Sequence, residues 1–356
     1  MARARLTVDL DAIVANWRAL DALSAPSVET AAVVKADAYG LGAAAVGPAL
    51  ARAGARSFFV ALAEEGATLR RALGPGPAIH VFAGLMPGDA DLVRSHDLVP
   101  CLNSPEQMRA FAAQLPGRPC ALQLDSGMNR LGLEPADLAA AADLLPGLAP
   151  VLAISHLACA DDPAHPMNAA QGRAFADAAA LLPGVRLSLA ATGGIQLGPA
   201  FHHGLVRPGI GLYGGLPFAA ARPVVSLALP IIQVREVGPG EAVGYGAAWT
   251  AARPSRIATL AAGYADGLPR ALGGTDLRLY AGRTPCPVVG RISMDLITVD
   301  VTDLGTIPDR LEILNDIQTI DDLAAAAGTI GYEILTSLGG RYDRVYKGTA
   351  QTPDPE

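Results

Sequence analysis

The stretch SFFVALAEEGATLRRALGPGPAIHVF, residues 57–82, places a short apolar run on either side of a helical segment. The first run ends at Ala61 and the second at Phe82, and both have the length and the aliphatic and aromatic content of buried strands. A strand, a helix and a second strand in this order form the repeating unit of a parallel sheet. The stretch therefore predicts an α/β fold.

The same alternation extends in both directions, from about residue 10 to residue 215, and gives eight β-like runs separated by alanine-rich helical stretches. Eight such units in about 200 residues predict an N-terminal (β/α)8 barrel. The runs end at Lys35, Ala61, Phe82, Leu102, Asp125, Ser155 and Ala190, and the last lies near residues 204–207.

After LPFAAARP, residues 216–223, the pattern changes to the alternation of strands, as in VVSLALPIIQVREV and CPVVGRISMDLITVDV. It predicts a C-terminal, mostly-β domain with short helices at IDDLAAAAG and GYEILTSLGG. We expect residues 1–10 to form a strand that associates with this domain, residues 11–218 to form the barrel and residues 219–356 to form the second domain. The final QTPDPE is expected to be frayed.

Composition limits the partners and the compartment. The chain has 27 basic and 34 acidic residues among 356 and no block of Lys and Arg, so nucleic acid is not expected as a partner. No run reaches the roughly 18 apolar residues of a membrane span, and acidic residues interrupt the N-terminus before a signal-peptide core can form. Widely spaced cysteines predict reduced thiols in a cytoplasmic protein and no metal site. They are Cys101, Cys120, Cys159 and Cys286.

Polar residues stand at or just after the ends of the predicted barrel strands, where a barrel builds its active site. Lys35 is the most unusual of them, because an apolar strand carries its side chain toward the interior. Burial lowers the pKa of a lysine and makes its amine a better nucleophile toward a carbonyl, as a Schiff-base lysine requires. The alternative is a lysine that merely extends to the barrel rim. The other residues are Gln123, Asp125, His156, Thr192 and Arg207.

Seven segments resemble, in the same order, motifs of the alanine racemase family. Together they span most of the chain, and their joint specificity is high although any one alone is weak. They are VVKADAYGLG (33–42), MNRLG (128–132), SHLACADD (155–162), VRPGIGLYG (206–214), VGYGAAW (243–249), GYADG (263–267) and GRISMD (290–295).

The resemblance implies that Lys35 carries pyridoxal 5′-phosphate (PLP) and that Arg207 faces the pyridine nitrogen of the cofactor. Because an arginine does not give up its proton, the ring nitrogen stays largely unprotonated and the electron sink is weakened, which suits an enzyme that returns the α-proton to the same carbon. The resemblance also implies cofactor-phosphate contacts through Tyr39, the Thr192 hydroxyl and two backbone amides. Those amides belong to Gly209 and Ile210.

The implied reaction interconverts L-alanine and D-alanine through an external aldimine, either supplying D-alanine for peptidoglycan or degrading it. Its two bases would be Lys35 and, from the other subunit of a homodimer, Tyr245. His156 is expected to hydrogen-bond toward both Tyr245 and Arg207. Substrate contacts are expected from Arg130, from the backbone amide of Met294 across the dimer and from Tyr264 at the mouth of the site. Alone, these residues have ordinary alternatives: a structural histidine, a salt-bridged arginine, a methionine in the core.

Three positions depart from the family pattern. Gln123 stands where some members carry a carbamylated lysine, so a neutral partner such as Asn129 or the Gln123 amide is expected to position Arg130. Gly339 and Gly340 stand where many members place a tyrosine against the phosphate, so Tyr342 is not expected to serve there. Thr192 replaces a common serine and keeps the hydroxyl.

Three other functions stay open beside the alanine racemase. A decarboxylase of basic amino acids would share the architecture, but such enzymes typically place glutamate at the pyridine nitrogen, and Arg207 argues against this. A serine or broad-specificity racemase is harder to exclude, because a small pocket discriminates weakly between a methyl and a hydroxymethyl group. A PLP-binding protein without turnover is the alternative from another class, although such proteins generally lack the second domain.

Overall fold

The computed structural model describes residues 3–348. These form two compact units, one from Ile13 to Ala221 and one that combines the chain up to Ala12 with the chain from Arg222 onward. The C-terminal QTPDPE, expected to be frayed, lies outside the described residues. Within residues 3–348 no helix is long and apolar enough to cross a membrane.

The chain begins with β1 (Arg5–Asp9), and α1 (Leu10–Asp21) leads into the first unit. The strands of this unit are β2 (Glu29–Thr30), β3 (Ala32–Val33), β4 (Ser57–Val60), β5 (Ala78–Val81), β6 (Leu98–Leu102), β7 (Cys120–Gln123), β8 (Pro150–Ile154), β9 (Arg186–Ser188) and β10 (Leu205–Val206). Its α-helices are α2 (Lys35–Tyr39), α3 (Ala43–Ala53), α4 (Ala63–Leu73), α5 (Ala90–Ser95), α6 (Pro105–Gln114), α7 (Pro135–Ala140), α8 (Leu145–Leu148), α9 (Pro166–Ala179) and α10 (Thr192–Gln196).

The first unit is a closed parallel barrel. Strands β3 to β9 form one seven-stranded parallel sheet in chain order. Strand β10 pairs in parallel with β2, next to β3, and the residue after it, Arg207, bridges to Ala191 beyond β9. Since β10 thereby joins the two edges of the sheet, the ring closes with eight strand positions, and the predicted (β/α)8 barrel is confirmed.

Burial explains why these short segments become barrel strands. Every residue of β4 and β6 is buried, as expected for parallel strands covered by side chains on both faces. Local signals then begin the helices: Ser104 precedes α6, its hydroxyl accepts a bond from the Gln107 amide at 3.3 Å, and Pro105 occupies the first helical position. The short strands deliver each chain segment to the same rim of the barrel.

The second unit is mostly β, as predicted. Its elements are β11 (Val225–Val237), β12 (Ala242–Val243), β13 (Trp249–Thr250), β14 (Ser255–Ala261), β15 (Arg278–Ala281), β16 (Thr284–Pro287), β17 (Leu296–Asp300), β18 (Arg310–Leu314), α11 (Ile320–Ala327), α12 (Gly331–Ser337) and β19 (Asp343–Lys347). The long strand β11 pairs antiparallel with β1, β14 and β18. Strand β1 lies between β11 and β19, so the N-terminal strand is part of this sheet. Both short helices expected here are present.

Candidate active site

The rim at the carboxyl ends of the barrel strands collects the predicted polar residues of the first unit. Lys35 follows β3, His156 follows β8, Thr192 follows β9 and Arg207 comes directly after β10. Parallel strands of one barrel end on the same side, so these side chains share one mouth. The placement of the candidate residues at strand ends is therefore observed, and their roles remain predictions.

Lys35 lies in a setting that favours its neutral amine. Its pKa is lowered, first by desolvation and then by the positive charge of Arg130, against a smaller opposing effect of Glu65. The amine nitrogen lies 5.9 Å from the centroid of the Phe82 ring. A neutral amine is the form that attacks a carbonyl and accepts a proton, so the environment suits a Schiff-base lysine.

The four residues after Lys35 form a left-handed helical turn. Residues Ala36 to Tyr39 all have φ between 51° and 56°, although none is glycine. Each such residue costs about 1–2 kcal/mol, and backbone strain of this kind concentrates at functional sites. Besides its backbone bonds, two hydrogen bonds to side chains hold the turn: the Ala36 amide donates to Glu65 at 3.0 Å, and the Ala43 amide donates to Asp37 at 2.7 Å. The turn fixes the positions of Lys35 and Tyr39 relative to each other.

Tyr39 is held against the barrel by a second tyrosine. The ring of Tyr39 lies 4.6 Å, centroid to centroid, from the ring of Tyr213, whose hydroxyl donates to the Val33 carbonyl at 2.9 Å. A Cβ atom at Gly209 would overlap the Tyr39 hydroxyl oxygen. Glycine at this position is therefore required for Tyr39 to approach the backbone beyond β10.

That backbone forms a cradle of donors around Thr192. The Thr192 hydroxyl oxygen accepts bonds from the amides of Gly209 at 3.0 Å and Gly211 at 3.3 Å. The amide of Ile210 takes part in none of the hydrogen bonds found between residues 3 and 348. A Cβ at Gly211 would come within 2.7 Å of the Thr192 methyl carbon. The Ile210 amide and the Thr192 hydroxyl remain able to donate to a phosphate group and fit that of PLP, whereas the Gly209 amide, also expected as a contact, is bonded to Thr192.

Arg207 is a buried cation held by neutral groups. One terminal nitrogen, Nη1, donates to the Ser188 carbonyl at 2.8 Å and to the Ser188 hydroxyl, and the other donates to the Ser155 carbonyl at 2.5 Å. Desolvation lowers the pKa of Arg207 to about 10, so it stays protonated at neutral pH. No ion pair within residues 3–348 involves it, and its Nε–H makes none of the bonds above. A donor in this position fits the pyridine nitrogen of PLP.

His156 is electrostatically coupled to this cation without bonding to it. Its pKa is lowered to about 3, first by desolvation and then by the charges of Arg207, Arg130 and Lys35. The expected hydrogen bond between His156 and Arg207 is not formed, and the terminal nitrogens of Arg207 donate instead to groups of Ser155 and Ser188. The imidazole is therefore neutral at working pH.

Arg130 lies exposed near the mouth, and its expected partners are elsewhere. The Gln123 side-chain amide donates to the Leu124 carbonyl at 3.2 Å, and neither Gln123 nor Asn129 hydrogen-bonds Arg130. Asn129 has φ of 55°, a conformation that asparagine tolerates better than most residues. The neutral partner that the sequence suggested is thus not formed. Arg130 makes no ion pair within residues 3–348, so the salt-bridge alternative is not observed either.

The candidate residues of the second unit are exposed. Tyr245 is 73% exposed, Met294 54% and Tyr264 42%. Core packing, the alternative for Met294, is therefore wrong. The Met294 carbonyl accepts a bond from the Ala265 amide at 2.9 Å, whereas the Met294 amide takes part in none of the bonds found in the described chain. That amide is available for a carboxylate.

Tyr342 and Gly340 concern the position where many family members place a tyrosine against the phosphate, a role that is not expected of Tyr342. Tyr342 is buried in the second unit, and its hydroxyl has no hydrogen-bond partner among the described residues. A Cβ at Gly340 would meet no atom within 4 Å. Neighbouring atoms therefore leave room for a side chain at residue 340, and steric crowding does not explain the glycine.

The structure adds residues that the sequence reasoning missed. Glu65 supports the left-handed turn, and its second oxygen accepts the Ala61 amide at 2.8 Å. Its position shortly after β4 satisfies the strand-end rule, which would have found it. Tyr213 lies within the quoted motif VRPGIGLYG, yet its contact with Val33 had no signal in the sequence.

A barrel with a desolvated lysine, an amide and hydroxyl cradle and a buried arginine at its mouth, together with a β domain, defines a PLP-dependent enzyme of the barrel class. Comparison with known proteins identifies the family. The alanine racemase N-terminal domain matches residues 8–217 and the alanine racemase C-terminal domain matches residues 224–346. The chain belongs to the alanine racemase family, whose members are PLP-dependent racemases. The predicted fold, family, enzyme class and cofactor are confirmed.

Individual relatives agree over the full length. The chain is 63% identical over 350 residues to an alanine racemase of Cereibacter sphaeroides, covering 98% of this chain and all of that protein. A crystal structure of alanine racemase from Bartonella henselae with covalently bound pyridoxal phosphate superposes with a TM-score of 0.92 at 38% identity, covering 98% and 100% of the two chains. The biosynthetic alanine racemase of Pseudomonas aeruginosa gives 0.89, also at 38% identity and with the same coverage.

Proposed function

We propose that this protein interconverts L-alanine and D-alanine as a homodimer, with Lys35 of one copy and Tyr245 of a second copy as its two bases. The observation that carries the proposal is the desolvated Lys35 at the strand-end rim that also carries Thr192 and Arg207. PLP attached to Lys35 supplies the electron sink that acidifies the Cα–H of a bound amino acid. Without such a sink, no side chain of the site could remove that proton at neutral pH.

Three residues of the barrel mouth have separate proposed roles in proton transfer, cofactor binding and substrate binding. In its neutral form, Lys35 Nζ would accept a proton from one face of the bound amino acid. Arg207 would hold the ring nitrogen of PLP by donating a hydrogen bond while it keeps its own proton, which would leave the ring a weaker electron sink. Arg130, exposed and without an ion-pair partner in the described residues, is free to bind the substrate carboxylate.

We propose that Tyr245 of a second copy is the second base, because racemisation needs a proton donor on the face opposite Lys35. Tyr245, Tyr264 and Met294 are exposed on one chain, which supports their burial against a second copy. We therefore propose shared active sites. Each copy has a barrel, around residues 11–218, and a β domain, around residues 219–356. In the proposed dimer the β domain of one copy completes the active site in the barrel of the other.

We also propose a cytoplasmic, biosynthetic role that supplies D-alanine. All four cysteines are free thiols, in keeping with a reducing compartment. Similarity to a biosynthetic alanine racemase supports the direction of use. Serine remains the second candidate substrate, since a hydroxyl group adds little volume to a small pocket.

The test incubates the PLP-loaded protein with L-alanine or L-serine and follows the loss of optical activity by circular dichroism. Borohydride reduction followed by mass spectrometry locates the cofactor. Racemisation of alanine with PLP fixed on Lys35 is the expected result. Fixed PLP with faster turnover of serine would transfer the proposal to a serine racemase, and unchanged optical activity with both amino acids would leave only a PLP-binding protein.

The Tyr245→Phe variant tests the shared site. It removes one hydroxyl and keeps the ring, so a loss of about 10²-fold or more in turnover is expected if the hydroxyl transfers a proton. Full activity of this variant would rule out the two-base assignment. Sedimentation of the wild-type protein over a range of concentrations then shows whether activity follows the dimer.

A further inference from the structure

A single guanidinium in the second unit joins the two loops that carry Tyr264 and Met294. Arg341 donates from Nε and Nη2 to the two oxygens of Asp266, both at 2.7 Å, and from Nη1 to Asp295 at 2.8 Å. Asp266 lies two residues after Tyr264, and Asp295 follows Met294 directly. All three nitrogens of the guanidinium are therefore used on this pair of loops.

Backbone hydrogen bonds show that the two loops form one body. The Tyr264 amide donates to the Ser293 carbonyl at 3.1 Å, and the Ala265 amide donates to the Met294 carbonyl at 2.9 Å. The Asp266 side chain is nearly buried, with 8% exposed, and it also accepts the Gly263 amide at 2.9 Å. Asp266 thus fixes the turn that presents Tyr264, and Arg341 satisfies both oxygens of Asp266.

The segment that carries Arg341 is itself tied to the same turn. The Gly339 amide donates to the Asp266 carbonyl at 3.1 Å, and Arg344 donates to the carbonyls of Leu338 at 3.1 Å and Gly339 at 3.2 Å. This segment is where the sequence carries glycines in place of a phosphate-contacting tyrosine. These contacts are with the second unit's own loops, and the bidentate arginine–carboxylate pair gives them a defined geometry.

We infer that Arg341 is a positioning residue that sets substrate affinity by holding the Met294 amide and the Tyr264 ring in place. The inference rests on the proposed function. The peptide unit that carries the Met294 amide is held through its Ser293 carbonyl, which accepts the Tyr264 amide, and the next unit is held through the Met294 carbonyl, which accepts the Ala265 amide. The ion pair between Asp295 and Arg341 restrains the chain one residue further, and the Met294 amide itself is left available. Arg341 itself contacts neither substrate nor cofactor in this scheme.

The central experiment compares Arg341→Met with Arg253→Met in the full-length, PLP-loaded protein. Arg253 is a matched control, since it pairs with Asp303 at 2.7 Å in the same unit and its side chain is 53% exposed, as is that of Arg341. We expect the KM for alanine to rise about 10-fold or more in Arg341→Met, because a charge-assisted hydrogen bond to the carboxylate is misplaced. The value of kcat should change less than about 3-fold, and Arg253→Met should match the wild type.

A second readout does not depend on turnover. Propionate carries the carboxylate of alanine without the amine, and its affinity for the PLP-loaded protein is measured by titration calorimetry. Arg341→Met should weaken it by the same factor as it raises KM, and Arg341→Lys, which keeps the charge but not the bidentate geometry, should fall between. Unchanged propionate affinity and KM would overturn the inference.

Loss of the fold would be separated from loss of positioning by Asp295→Asn. This variant weakens only the contact beside Met294 and leaves the bidentate Arg341–Asp266 pair intact, so its melting temperature should stay at the wild-type value. A raised KM together with an unchanged melting temperature supports the inference. An unchanged KM of Asp295→Asn contradicts it, even if Arg341→Met unfolds. A wild-type protein that does not racemise alanine would instead defeat the proposed function, and propionate affinity would then decide the role of Arg341 alone.

Discussion

Two cations of the barrel mouth, Lys35 and Arg207, experience the same physical effect with opposite consequences. Desolvation is the largest cause that lowers the pKa of each. Because an arginine begins about two units higher than a lysine, Arg207 with a pKa of about 10 keeps its charge, whereas Lys35 is shifted toward its neutral form. Desolvation thereby lets one mouth contain both a base, Lys35, and a permanent cation, Arg207.

The contacts of the two residues follow this division. Arg207 is surrounded by carbonyl oxygens of Ser155, Ser188 and Leu189, which stabilise a positive charge without competing for its proton. Lys35 has no such set within residues 3–348 and is placed by a strained backbone turn whose side-chain bonds go to Glu65 and Asp37. The difference indicates that Arg207 is held through its side chain and Lys35 through its main chain.

The largest effect is expected from Lys35→Arg, which keeps the charge and removes the ability to become neutral. We expect kcat to fall at least about 10³-fold and PLP to remain unattached after borohydride, because a guanidinium neither forms the Schiff base nor accepts the proton. Circular dichroism of L-alanine and mass spectrometry measure both. The exposed Lys347, paired with Asp9 at 3.1 Å, provides the control Lys347→Arg. If Lys35→Arg kept more than about 1% of the wild-type kcat, the ability of Lys35 to lose its proton would not be the functional difference between Lys35 and Arg207.

A smaller loss is expected from the reverse change, Arg207→Lys. A lysine cannot reach the carbonyls on both sides at once, so at least one of those of Ser155 and Ser188 would be left buried without a donor. We expect the free energy of unfolding to fall by about 2–4 kcal/mol, measured by denaturant titration of the PLP-loaded protein. Arg94→Lys, at a half-exposed pair with Asp91, should change it by less than about 1 kcal/mol. Equal effects of the two substitutions would contradict the side-chain anchoring of Arg207.

Sequence patterns predicted the barrel, the β domain and the rim positions, because strand and helix periodicities and the rule for strand ends depend on local order alone. They did not predict the left-handed turn, since Ala36 to Tyr39 contains no glycine to mark positive φ. Nor did they predict that Arg207 would be bound by main-chain carbonyls, which every residue carries and no sequence motif records. The missing His156–Arg207 bond has the same origin, since main-chain carbonyls accept from Arg207 where the sequence suggested the histidine.

The cation Arg207 also contributes to keeping two histidines neutral, which gives a pH-dependent prediction. The pKa of His80 is lowered to about 4, first by desolvation, and its ring stacks on Phe59, whose face Arg207 also approaches. Between pH 4 and the ordinary histidine pKa of about 6.5, the unfolded chain binds protons at His80 that the folded chain does not. Stability therefore falls as pH decreases through this window, by up to about 1.4 kcal/mol per pH unit for one histidine.

His80→Gln isolates this contribution, since glutamine has no proton to gain. The free energy of unfolding of the variant, measured at several pH values from about 4 to 7, should fall less steeply than that of the wild type. His96→Gln is the control, because His96 is half-buried directly after α5, whereas His80 is buried in a barrel strand. Parallel pH profiles of wild type and His80→Gln would mean that His80 is protonated in the folded barrel and that its neutral state is not enforced there.

The smallest effect is expected at Tyr213→Phe, which tests the main-chain placement of Lys35. The substitution keeps the ring against Tyr39 and removes one hydrogen bond, at 2.9 Å, to the carbonyl of Val33, two residues before Lys35. One neutral hydrogen bond contributes about 1 kcal/mol, so the unfolding free energy should fall by that amount and kcat by less than about 3-fold. Tyr280→Phe is the control, because the Tyr280 hydroxyl makes no hydrogen bond within residues 3–348. A kcat loss above 10-fold with unchanged stability would mean that the left-handed turn alone does not place Lys35 and that the end of β3 must also be held from the Tyr213 side.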